Sequence, residues 1–231
     1  MLEQERHALE KILSTLFGYY IVQLGILDEA DTLLSQSRIS HHVALDIDGV
    51  GNPVASPIIA VPEELPLASD SIDVIVMPHT LEFADDPHTV LREAERVLIP
   101  EGHMIILAFN PWSLCGLRRL LSFSRQQEPW NGQFLTLHRL KDWLALMGFE
   151  IRRGNGLCFR PPINHPILLQ RCERMEELGR RFWPLLAGIN VIVAKKRVST
   201  LTPVGLRRRI RRRVLAGVAE PTARNGYRFD E

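Results

Sequence analysis

The stretch Leu65–Asn110, LPLASDSIDVIVMPHTLEFADDPHTVLREAERVLIPEGHMIILAFN, constrains the fold more than any other part of this chain. Ile72 to Met77 is a short, nearly unbroken apolar run rich in β-branched residues, the pattern of a parallel strand covered on both faces. Asp86 offers an N-cap with Pro87 at the first helical position, and Val90, Leu91, Ala94, Val97 and Leu98 recur at helical spacing. Pro100-Glu101-Gly102 then breaks the helix, and Met104 to Phe109 supplies a second apolar strand. Strand, helix and strand joined this tightly predict a right-handed βαβ unit of a parallel sheet.

Gapless through LP, SIDVIV, HTLEF, DDP, REAERVL and PEGHMIIL, this block resembles the region between the fourth and fifth strands of class I S-adenosylmethionine-dependent methyltransferases, in their small-molecule branch. The resemblance implies an α/β fold: a Rossmann-like, seven-stranded, mostly parallel sheet with helices on both faces and an antiparallel last strand. It also implies S-adenosylmethionine as cofactor and an acceptor-side insert over 111–135, where Trp112, Phe123, Trp130 and Phe134 suit a flat or apolar small molecule. Packing of those aromatics into the core is the other reading of the same residues.

Before this block, residues 1–17 carry Leu9, Ile12, Leu13 and Leu16 on one face of a predicted amphipathic helix. Tyr19 to Gly25 is an apolar run ending at glycine, where the resemblance places the first strand and its glycine-rich turn. Gln23 stands where the family pattern has a carboxylate, Gly25 keeps the first glycine, and Leu27 and Glu29 stand where the second and third fall. Glycines there let the backbone turn sharply and approach a cofactor. A helix is expected over residues 28–35, then a second strand from His42 to Asp46 and a third from Pro57 to Val61.

At a second-strand end an acid can accept both ribose hydroxyls of an adenosyl group, which makes Asp46 the leading cofactor residue, with Asp48 behind it. Glu63, or Glu64 and Leu65 through backbone groups, would line the adenine. At the end of the fourth strand, Pro78-His79 emerges where open α/β sheets bind ligands. Methyl transfer from a sulfonium is an in-line displacement that alignment alone can accelerate, so a base is required only when the acceptor must lose a proton. His79 is the expected base, since imidazole titrates near neutrality, and Glu82 stands behind it; a histidine that only bonds the loop backbone is the alternative.

Thr136 is predicted to cap a helix ending at Gly148, Phe149 to begin the sixth strand, residues 163–182 to include a helix, and Gly188 to Ala194 to form the last strand. Three cysteines without C-x-x-C spacing, and a lone His41-His42 pair, indicate neither disulfides nor a metal. With no long apolar span and a charged start, a cytoplasmic protein is expected.

The net charge of +1 hides a division: from Lys195 onward there are eleven Lys/Arg against three Asp/Glu, or +8, leaving −7 for the rest. This places a methyltransferase-like domain over 1–198 and a basic tail over 199–231. The tail's arginine cluster fits an anionic membrane surface, nucleic acid phosphates or an acidic patch of the body. Two functions follow: transfer of a methyl group to a small or lipid-like acceptor, or a methyltransferase fold that has lost its cofactor and serves as a binding or regulatory module.

Overall fold

The β-branched apolar runs become the inner strands of one sheet in a computed structural model of the chain, which describes residues 2–25, 33–34, 37–47, 58–113, 132–158 and 186–198. The strands are β1 (Tyr20–Leu24), β2 (His41–Leu45), β3 (Ile72–Pro78), β4 (Leu98–Phe109), β5 (Phe149–Leu157) and β6 (Ile189–Lys196). Their order is β2-β1-β3-β4-β6-β5. β2, β1, β3 and β4 pair in parallel, and β6 runs antiparallel to both of its neighbours, β4 and β5. The expected third strand keeps its place beyond β2 as a single parallel bridge between Ile59 and Asp46.

Alternation along the strands builds two cores. Ile75, Met77, Met104 and Ile106 meet Val90, Leu91, Ala94 and Val97 of α3 (Pro87–Val97) and Leu140 and Leu144 of α4 (Leu137–Leu146) on one face. Val74, Val76, Ile105 and Leu107 meet Leu9, Ile12 and Leu13 of α1 (Leu2–Leu13) on the other. α2 (Thr80–Phe83) is a single turn leaving the end of β3.

Capping follows the sequence. The Asp86 carboxylate accepts from His88 N at 3.0 Å and from the Thr89 hydroxyl at 2.6 Å, with Pro87 at the first position. Thr136 caps α4, which ends before Gly148 at φ 80°. One boundary differs: β4 starts at Leu98 rather than Met104, because Leu98 pairs with Ile72 before an irregularity that holds Glu101 at φ 67°. Apart from Leu33 and Leu34, which form a turn, the helix expected over 28–35 lies outside the described residues, as do the helix expected over 163–182, Asp48, Leu27 and Glu29, the middle of the 111–135 insert and the tail.

A candidate cofactor edge and a buried charge cluster

Parallel pairing brings the ends of β1, β2 and β3 to one edge of the sheet. Gly25 follows β1 with φ +90°, and its N–H donates to Leu45 O at 2.9 Å, so it lies beside Asp46 at the end of β2. A Cβ at Gly25 would lie 3.5 Å from Ile47 Cδ1, 3.6 Å from Thr80 Oγ1 and 3.9 Å from Pro78 O. The turn therefore sits in the notch between three strand ends, and its backbone conformation, more than lack of room, calls for glycine. The Thr80 hydroxyl closes the notch by donating to Leu24 O at 2.6 Å. Asp46 is buried, its backbone paired on the far side with Ile58 O and Ala60 N.

Gln23 has a different task from the one its position suggests. Its amide donates to Gly25 O at 2.9 Å and accepts from Leu33 N at 3.1 Å, and the residue is 1% exposed. The side chain ties Gly25 to Leu33 through one donor and one acceptor of its amide. The backbone of Leu65 is likewise engaged within the fold. Its N–H donates to Glu93 Oε1 at 3.0 Å, its carbonyl accepts from Arg96 Nη2 at 3.2 Å, and its side chain is buried in the core. Arg96 also holds Leu67 O, at 2.9 Å, so α3 organises this loop and uses the backbone groups expected to line adenine. Glu64 is exposed, in a turn bridged to Val61 one residue past Ala60.

His79 departs furthest from expectation. It follows Pro78 with φ 55°, is 4% exposed, and stacks on Phe109 with ring centroids 3.9 Å apart. Its Nδ1 lies 3.3 Å from Glu82 Oε1 and its Nε2 lies 3.6 Å from Glu5 Oε2, a carboxylate delivered by α1. Burial by itself lowers the pKa of the imidazole, but hydrogen bonding and charge attraction from Glu5 and Glu82 outweigh it and raise the pKa to about 9. With its pKa raised, the imidazole is held toward its protonated form, which works against the expected role of general base. Glu82 also accepts from Phe109 N at 2.6 Å through the same Oε1 that faces His79.

Both Glu5 and Phe109 escaped the sequence reading as site residues. The apolar stripe of α1 pointed to Glu5, since stepping back four residues from Leu9 lands on that position. Among the described residues no group of three or more His, Cys, Asp or Glu could hold a metal ion, and no helix is long and apolar enough to cross a membrane.

A pocket of about 520 Å³ opens at the end of β4 and the start of α4, with Asn110, Trp112, Leu137 and Asn190 among its walls.

Comparison with known proteins bears on both features. A family model described as a methyltransferase domain matches residues 29–106. The uncharacterized protein YafS of Escherichia coli strain K12 is 35% identical over 201 residues, covering 85% of this chain and 78% of YafS. A malonyl-[acyl-carrier protein] O-methyltransferase of Laribacter hongkongensis is 33% identical over 87 residues, covering 38% of this chain and 29% of that protein. Among solved structures, an S-adenosylmethionine-dependent methyltransferase of Thermotoga maritima, described as a possible histamine N-methyltransferase, superposes with a TM-score of 0.60. It is 20% identical and covers 82% of this chain and 87% of its own, a likeness of fold.

Proposed function

Because this chain belongs to the class I S-adenosylmethionine-dependent methyltransferase family, we propose that it methylates a small acceptor seated next to the carboxyl edge of β1, β2 and β3. The observation that carries this reading is the bond from Gly25 N–H to Leu45 O, which sets the glycine at the end of β1 beside the end of β2, where Asp46 follows. A positive-φ glycine and a strand-end carboxylate stand side by side in the notch where open parallel sheets take their ligands. When bound, S-adenosylmethionine supplies an electrophilic methyl group on a sulfonium.

The chain's own residues have the remaining work. Asp46 would accept the ribose hydroxyls, Gly25 would present backbone without a Cβ, and Pro78 O together with the exposed Glu64 would border the nucleoside. Thr80 and Gln23 hold the turn in shape from inside. His79 keeps a fixed positive charge beneath the edge and leaves proton removal to the acceptor's own ionisation or to water.

Calorimetric titration with S-adenosylmethionine and S-adenosylhomocysteine tests the proposal. Saturable binding of both, accompanied by a rise in melting temperature, is the expected result. Absence of either effect at millimolar ligand, with the protein folded, would overturn it.

A further inference from the structure

The pocket at the end of β4 and the start of α4 has walls of two kinds. Trp112 and Leu186 offer large apolar surfaces, 75% and 45% exposed, and Leu137 adds a third. The remaining wall presents donors. Asn190, on β6, is 6% exposed, yet its Nδ2 has no hydrogen-bond partner. A buried amide N–H group without an acceptor costs free energy unless a ligand supplies one.

Neighbouring Asn110 shows the contrast. Its Nδ2 donates to Ala187 O at 2.9 Å and its Oδ1 accepts from Trp112 N at 3.1 Å, so that amide is fully used in shaping the loop. Lys141 lines the same pocket from α4, a ten-residue helix whose first turn at Leu137 also borders it. The first N–H groups of a helix lack intrahelical acceptors and favour an anion. His138 faces Asp142 at 3.4 Å, and among the described residues of this wall Lys141 is the lysine.

We infer that this pocket binds the methyl acceptor as an apolar carboxylic acid, its carboxylate held by Asn190 Nδ2, Lys141 and the start of α4, and its body laid on Trp112, Leu137 and Leu186. Lys141 matches a negative charge, and the unpartnered amide of Asn190, which lines the same pocket, matches a carboxylate lone pair. The inference rests on the proposed function for the word acceptor; the pocket's chemistry stands by itself.

The experiment uses the full chain, with binding followed by ligand-observed NMR and calorimetry. Probes are benzoate and hexanoate, their neutral counterparts benzyl alcohol and hexanol, and inorganic phosphate. Expected are saturable binding of the two carboxylates, at least tenfold weaker binding of the alcohols, and weak binding of phosphate. Asn190→Asp, which replaces the donor with a like charge at nearly constant shape, should abolish carboxylate binding, and Lys141→Gln on the rim should weaken it severalfold.

Equal affinity for carboxylates and alcohols, phosphate binding tighter than either, or carboxylate affinity unchanged in Lys141→Gln would each overturn the inference. If Asn190→Asp fails to fold, Lys141→Gln and the probe series decide. S-adenosylhomocysteine binding is measured on the same samples and should be unchanged in both variants. Its loss in the wild type would count against the methyltransferase reading while leaving the carboxylate result intact.

Discussion

The Glu5–His79–Glu82 cluster makes stability depend on pH in a definite direction. His79 is raised from 6.5 to about 9, so folding favours its protonated form, and the difference is worth about 3 kcal/mol for a group this deeply buried. A raised pKa contributes in full below the unfolded value and is lost as pH climbs through the folded one. The stabilisation is therefore complete below about pH 6.5 and gone above about pH 9. For a domain of this size about 3 kcal/mol corresponds to roughly 6–12 °C in melting temperature.

Glu5→Gln is the informative perturbation, because the Glu5 carboxylate faces His79 Nε2, whereas Glu82 also holds Phe109 N. With one of two attracting carboxylates neutralised, the fall in stability across this window should shrink to roughly half. Urea unfolding of both proteins at closely spaced pH values from about 6 to about 10 measures it. Parallel wild-type and Glu5→Gln curves across that range would refute the reasoning, since they would mean that α1 does not control the ionisation of His79.

Asp46→Asn should weaken S-adenosylhomocysteine binding by about 1.5–3 kcal/mol, the scale of hydrogen bonds to a charged group, as read by calorimetry. Gly25→Ala, at φ +90°, should lower unfolding free energy by about 1–3 kcal/mol even though its Cβ meets only ordinary contacts; urea midpoints report this. Truncation after Val198 should leave S-adenosylhomocysteine affinity unchanged and remove any salt-sensitive association with anionic vesicles, measured by co-sedimentation.

What could be read from the sequence was local. The β3-α3-β4 block was legible because strand period, cap, proline and breaker all lie within one another's reach: Asp86 and Pro87 fix the start of α3, and the apolar positions from Val90 to Val97 fix its face. The positions of Gly25 and Asp46 at strand ends followed from the same logic. Side-chain duties were hidden because they depend on partners far along the chain. Gln23 reads as an eroded ligand until Leu33 N is seen on its carbonyl, and His79 reads as a free base until α1 brings Glu5 from 74 positions away. Leu65 illustrates the same limit, since only the placement of Glu93 and Arg96 reveals that its backbone is already used.

The attachment of α1 has a bearing on how the protein is made. Twelve residues are too few for a helix to persist alone in water, and the contacts that secure α1 come late: Gln4 Oε1 accepts from Cys158 Sγ at 2.8 Å across 154 positions, and Glu5 waits for His79. Made before the partners that secure it, α1 is thus among the last elements to find its seat, and the apolar face of Leu9, Ile12 and Leu13 stays uncovered until β3 and β4 have been synthesised and paired. During that interval the nascent chain presents a short amphipathic segment of the kind chaperones bind, and closure of the Glu5–His79 contact marks its withdrawal.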